Sequence, residues 1–286
     1  MIKKVLYTLA ILLFVLFSFL LVDYFRFMAA QEQQLLEKGK QNSTVLRDQV
    51  NAMLQNTMKE GYNLVDSISK NTYTKEALEL LIKNATLKTQ GALGVTVGFE
   101  PYGFDGITKF YCPYYDENKN AVLQIQDIYD YRDPSLSNAK WYTNIAKNQK
   151  AAWVEPYYAH GAKALVGDYG IPFYYTSGEQ KGQLRGTVTM SISLRGFKKM
   201  IHKLSLGKAG FGFVNSPKGV ILAHPNEAYI GNKTIHAFIK EEPNPELKKA
   251  YQSLLDGQSD MLRYKDASSK EEKLFFYDQV LSLIHI

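Results

Sequence analysis

Val5 to Val22 (VLYTLAILLFVLFSFLLV) is an uninterrupted apolar run of 18 residues without a charge. At 1.5 Å per residue a helix of that length spans about 27 Å, close to the hydrocarbon thickness of a bilayer. Tyr24, Phe25 and Phe27 follow with Arg26 among them, the composition of a membrane interface. Lys3 and Lys4 precede the run, which places the N-terminus in the cytoplasm. A cleaved signal peptide has a shorter apolar region ending at small residues. Here the only small pair, Ala29–Ala30, comes after bulky Met28. The pattern predicts an uncleaved anchor, with the chain beyond residue 28 outside the cytoplasmic membrane.

Between residues 31 and 90 there is no proline. Val50, Leu54, Thr57, Gly61, Leu64 and Ile68 step by four and three, the spacing of one helix face. Thr57 and Gly61 weaken the seam, so it predicts a long stalk helix packed on another element rather than a strong coiled coil. Lys75–Lys83 continues as helix. From Gly91 the texture becomes that of strands. GALGVTVGF is the first, and KFYCPYY and AVLQIQDIY form a hairpin around DENKN. Ser137–Gln149 reads as a helix, and AAWVEPYYA, ALVGDYGIPFYYT and LRGTVTMSISL read as strands. A second cycle follows. FKKMIHKLSL is a short helix, FGFVNS and GVILAHP are strands around the Pro217-Lys218-Gly219 turn, PELKKAYQSLLDG is a helix, and DMLRYKD and KLFFYDQV are a hairpin. The class is α+β: two similar units behind one long helix, with the boundary near residues 195–207.

Composition narrows the picture. The net charge is +6, of which +2 lies in the anchor; the rest is spread too thinly for a nucleic-acid surface. The single cysteine, Cys112, excludes an intramolecular disulfide framework and a cysteine zinc cluster. Twelve of the 20 tyrosines and both tryptophans fall between Tyr102 and Tyr175. Tyrosine offers a rigid apolar ring with a polar tip, which suits a pocket that orients a small polar ligand. Aromatic preference for strands would account for any single one of them.

The order GFEPYGFDG (98–106), KWYTNIAKNQKAAWVEPYY (140–158), GIPFYY (170–175), GTVTMSISL (186–194) and GFGFVNSPKGVILAHP (210–225), behind an N-terminal anchor, resembles the double Cache sensor domain of bacterial transmembrane receptors. The resemblance implies two stacked PAS-like antiparallel-sheet units beside a long N-terminal helix, with the ligand in the membrane-distal unit. The domains are then 1–28 cytoplasmic tip and transmembrane anchor, 29–90 stalk, 91–195 distal ligand-binding unit and 196–280 proximal unit, incomplete. The candidate ligand-binding residues are Tyr129, Tyr131, Trp141, Tyr142, Trp153, Tyr157, Asp168 and Tyr169.

Amino-acid-sensing members of that family hold their ligand with an Arg, two Asp and a Thr. The matching positions here are Ala139, Ala159, Ser191 and Asp168. A zwitterion buried without partners is costly, so the amino-acid mode is not expected. Asp168 offers itself to a cationic ligand, against the alternative of a solvated or capping carboxylate. Lys140 is assigned to the outer face of its helix. Asp127, Asp130 and Asp133 read as a polar turn, and no hydrolase, kinase or phosphate-loop motif is present, so no catalytic residue, metal or cofactor is assigned.

The expected function is an extracytoplasmic small-molecule sensor in a bacterial cytoplasmic membrane, dimeric through its stalk and without an enzymatic role for this chain. By analogy, GFEPYGF with WVEPYY looks most like the sensor of sporulation-type serine phosphatases. The alternatives are a chemotaxis transducer or histidine kinase sensor, and further an exported enzyme or solute-binding protein. KLFFYDQV is expected to be followed by a further strand and a second membrane helix. Leu281–Ile286 (LSLIHI) back-translates to CTG TCT CTT ATA CAC ATC, the end of transposase-made sequencing libraries, and is read as an adapter scar.

Overall fold

The computed structural model describes residues 2–202, 204, 210–267 and 269–280. LSLIHI lies outside the described residues. Helix α1 (Ile2–Lys70) carries the anchor and most of the stalk as one continuous rod. It is the one helix, among the described residues, long and apolar enough to cross a membrane, and the described side chains of its apolar run pack on nothing in the chain. The stalk does not run unbroken to residue 90. It ends at Lys70, and α2 (Lys75–Lys88) restarts after Asn71-Thr72-Tyr73-Thr74, where the Asn71 amide donates back to the Ser67 carbonyl. Thr74 caps α2, its hydroxyl accepting from the Ala77 N–H at 3.2 Å.

Six antiparallel strands follow: β1 (Ala92–Phe99), β2 (Pro113–Asp116), β3 (Ala121–Gln124), β4 (Ala152–Ala159), β5 (Ala164–Tyr174) and β6 (Leu184–Ser193). Their order is β3-β2-β1-β6-β5-β4, so the last strand in sequence joins two halves built earlier. Helix α3 (Lys140–Asn148) precedes β4. The hairpin predicted from KFYCPYY and AVLQIQDIY is present but shorter, over Pro113–Asp116 and Ala121–Gln124, with a 3-10 turn at Ile125–Asp127, and the strands around 152–193 are present.

One face of this sheet is covered by α1 and α2. Leu64, Ile68, Leu78 and Ile82 pack on Val95, Val97, Tyr169, Ile171, Phe173, Val188 and Met190. The two weak points of the seam now have reasons. Thr57 is fully buried and its hydroxyl donates to the Met53 carbonyl at 2.9 Å. Gly61 marks the close approach: a Cβ there would meet Ile171 Cδ1 at 2.7 Å and Met190 Cγ at 3.1 Å. The face Val50–Ile68 is therefore occupied by the protein's own core, and a dimer through the stalk would have to use another face of α1.

Beyond β6 come α4 (Leu194–His202), β7 (Val214–Asn215), β8 (Ile221–Ala223), α5 (Ile235–Glu241), α6 (Pro245–Leu255), β9 (Asp260–Lys265) and β10 (Glu272–Tyr277). Sequence patterning missed α5, whose cap is Thr234, and made β7 too long. Val50, Met53 and Leu54 of α1 reach this part too, in a core with Phe197, Ile201, Val214 and Leu222. Among the described residues β7–β8 and β9–β10 are two separate ladders, not the single second sheet that was expected. The cause is visible by comparison with the first sheet: β6 bridges its halves, whereas no described strand lies between β7 and β10, which both border a cavity of about 960 Å³.

The packing at Gly61 is testable. Gly61→Leu would drive a branched side chain into Ile171 and Met190, and overpacking of this kind costs about 1–3 kcal/mol, occasionally more. Denaturant unfolding of the detergent-solubilised protein should show that loss, despite leucine's better helix propensity. Unchanged stability would mean that α1 does not lie against β5 and β6.

Candidate functional site

The strands at the centre of the sheet are apolar on the α1 face and small or polar on the other. In β6, Val188, Met190 and Ile192 alternate with Thr187, Thr189 and Ser191; in β5, Tyr169, Ile171 and Phe173 alternate with Asp168, Gly170 and Pro172. The register sets Thr189 beside Gly170 and Thr96, and Ser191 beside Asp168 and Gly94. A Cβ on Gly98 would meet the rings of Tyr142 and Trp141, and one on Gly170 would meet Ile145, so α3 presses directly on this second face. The polar alternation is buried, because Thr187, Thr189 and Asp168 are each no more than 1% exposed.

Above this floor stands an aromatic roof. Tyr114, Tyr131, Trp141 and Tyr142 are buried with Cys112 and Ile125, and Tyr129 and Tyr157 pack on them. The Trp141 indole N–H donates to the Tyr129 hydroxyl at 2.9 Å. Tyr142 donates to Glu100 Oε1 at 2.6 Å and Tyr131 to the Phe99 carbonyl at 2.5 Å. The polar tips of Tyr131 and Tyr142 are thus committed to the protein, and these two residues present ring surface only. Burial drives the Cys112 thiol well above its ordinary pKa, leaving it neutral.

Asp168 is a buried acidic group of the site and not a solvated carboxylate. Tyr157 donates its hydroxyl to Oδ2 at 2.5 Å, while Oδ1 has no partner of good hydrogen-bond geometry. Burial pushes the carboxyl up to about 6, with the Tyr157 and Ser191 hydroxyls offsetting part of that effect. The Tyr114 hydroxyl and the Thr187 and Thr189 hydroxyls are likewise buried without a partner. Buried polar side chains are normally paired, so a group of four such atoms on one face makes it the candidate site.

Six of the eight expected residues, Tyr129, Tyr131, Trp141, Tyr142, Tyr157 and Asp168, share this face. Trp153 and Tyr169 do not. Tyr169 follows Asp168 in β5 and points the opposite way, its hydroxyl 3.2 Å from that of Tyr62 on α1, and Trp153 packs on Tyr169 with ring centres 5.1 Å apart. Strand alternation decides this, and the aromatic count alone could not see it. Tyr114, Thr187 and Thr189 went unassigned, although the alternation Thr-Val-Thr-Met-Ser-Ile in β6 carried their signal. Lys140 is exposed on the outside of α3, as expected.

The ionisation of Asp168 has a thermodynamic consequence. Its folded pKa lies above the unfolded value, so the folded state holds the proton more tightly, and that stabilisation is lost as pH rises through about 6. At pH 7.5 the ionised carboxylate costs the ligand-free protein on the order of 3 kcal/mol. Asp168→Asn should therefore be more stable than the wild type at pH 7.5, with the gap closing toward pH 4. Parallel melting profiles over that range would contradict the buried, uncompensated charge.

No curated protein matches the chain in sequence. Residues 78–199 match the sequence model of the methyl-accepting chemotaxis protein-like family's first PDC sensor domain. Among solved structures, the extracellular domain of soHK1S-Z6, described as a histidine kinase, superposes with a TM-score of 0.69 at 19% identity, over 88% of this chain and 91% of that one. The ligand-binding domain of the amino acid chemoreceptor PctC from Pseudomonas aeruginosa, in complex with GABA, gives 0.57 at 15% identity over 84% and 90%. The sensory domain of the Campylobacter jejuni chemoreceptor Tlp3, with isoleucine bound, gives 0.54 at 17% over 87% and 91%. The chain thus has the fold of these extracellular sensor domains, and its first unit carries the PDC sequence pattern.

Proposed function

We propose that this chain is the ligand-binding, signal-initiating part of a membrane receptor, held by residues 1–28 with residues 29–280 outside the cytoplasmic membrane. The observation that carries the reading is the buried polar face of the first sheet, roofed by aromatic rings and bearing four unpartnered polar atoms. A fold whose solved examples include ligand-bound chemoreceptor domains supports it. Among the described residues the site shows no assembled nucleophile and base, and Asp168 is held by a tyrosine hydroxyl, so recognition rather than turnover is the chemistry it suits.

The output partner is proposed to be a chemotaxis-type or histidine kinase-type module. The serine phosphatase analogy gains no support from the similar proteins, whereas both of these classes are among them. A route from site to membrane follows from strand alternation. Asp168 faces the site and Tyr169, its neighbour, touches Tyr62 of α1, so a displacement of β5 on ligand binding reaches the anchoring helix directly. Such a shift would bias two arrangements of α1 against the sheet.

Two measurements test the reading. A thermal-melt screen of the solubilised protein against small metabolites of mixed charge should find ligands that raise the melting temperature; saturation at 100 times Kd corresponds to about 2.7 kcal/mol. A screen with no shift for any class would remove the sensor reading. Separately, a reporter active only outside the cytoplasm, fused after residue 280, should be active; activity of a cytoplasm-only reporter instead would reverse the orientation.

A further inference from the structure

Resting on the sensor reading above, the geometry points to a ligand class for this site: a small organic cation carrying an ammonium group and no carboxylate, seated with its charge against Asp168. The argument begins from an unbalanced charge. Asp168 lies in the middle of β5 at 1% exposure, and among the described residues no lysine, arginine or histidine forms an ion pair with it. A buried carboxylate without a counter-charge is expensive, and proteins ordinarily pair or neutralise it.

The elements packed around Asp168 supply no cation. From β4 comes Tyr157, from β2 Tyr114, and from the segment before α3 Tyr129; the electrostatic neighbours of the carboxylate are these tyrosines, all neutral acids. The nearby bases are engaged elsewhere. Lys119 pairs with Asp116 at 2.8 Å and donates to the Gly161 carbonyl, and Arg132 pairs with Glu100 at 3.3 Å. Arg185 of β6 donates to the carbonyls of Gly103, Phe104 and Ile68, away from the site. Lys140 and Lys147 of α3 are exposed. Glu155 of β4 accepts from Ser216.

The unpartnered atoms then match an ammonium. Such a group donates three hydrogen bonds and accepts none. Asp168 Oδ1, Thr189 Oγ1 and the Tyr114 hydroxyl are buried oxygens able to accept, and none of the three has a partner of good hydrogen-bond geometry. Tyr157, Tyr129 and Trp141 belong to the adjoining aromatic cluster, and aromatic rings attract a cation and tolerate an alkyl chain. The same inventory rejects a zwitterion. A ligand carboxylate would meet no free arginine or lysine in the cluster and would be repelled by Asp168. This sets the site apart from one that holds both ends of an amino acid, although the fold is shared with domains solved with GABA and isoleucine.

The test uses a matched set of probes on the solubilised full chain at pH 7.5: n-butylamine, 1,4-diaminobutane, n-butanol, and norvaline, which is butylamine with a carboxylate added at its amine carbon. Calorimetric titration should show binding of at least one amine, with norvaline and butanol at least 50-fold weaker. Asp168→Asn, which is expected to fold at least as stably as the wild type, should abolish amine binding, and Thr189→Val should weaken it about tenfold. Amine affinity should also fall as pH drops below about 6, where Asp168 takes up its proton in the ligand-free protein. If norvaline or other amino acids bind as tightly as the amines, or if Asp168→Asn binds amines unchanged, the cation inference is overturned while the sensor reading stands. If the amines fail and the broad metabolite screen also finds no ligand, both fall.

Discussion

Everything in this molecule is organised by the contact between α1 and one face of the first sheet. A single helix from Ile2 to Lys70 carries the apolar run at one end and covers the core of the first sheet at the other. Its buried positions, Val50 to Ile68, bind it to β5 and β6 through Leu64, Ile68, Tyr169, Ile171 and Met190, and to the second unit through Met53 and Leu54. Burial of each such apolar side chain is worth roughly 1.5–3 kcal/mol. That is enough, summed over the seam, to make the rod and the sheet move as one body unless β5 itself shifts. At Gly61 Ile171 and Met190 come close to the helix backbone, and the absence of a side chain there lets them do so.

Because α1 and α2 take the apolar face, the other face of the sheet is free to be chemically specific. Its central residues are glycine, threonine, serine and aspartate instead of valine and isoleucine, and α3 with the segment before it closes them in under aromatic rings. Stability alone would favour apolar residues at Thr187, Thr189 and Asp168, where buried polar atoms now lack partners. Retaining an ionised carboxylate there weakens the ligand-free protein, and a group held at such a cost is a candidate for function.

Much of this was legible in the chain. The step of four and three from Val50 to Ile68 predicted a helix packed on another element, and the α1 face of the sheet is that element. The strands of the first unit and α3 were readable from alternation and from the Trp141–Ile145 spacing. The division of the aromatic residues was less accessible, because a count of tyrosines carries no direction. Trp153 and Tyr169 were grouped with Asp168 although strand alternation sends Tyr169 to the opposite face. The separation of β7–β8 from β9–β10 was not legible at all, since whether two ladders join depends on a bridging strand and not on either ladder's own pattern.

The central claim is that Asp168 is a buried carboxylate without a counter-charge until a ligand provides one. Its titration, followed by the carboxyl carbon resonance of labelled aspartate and assigned with Asp168→Asn, tests this most directly. The account predicts a midpoint near 6 in the ligand-free protein, moving down by more than one pH unit when n-butylamine saturates the site. A midpoint near the ordinary 3.8, unmoved by the amine, would contradict it.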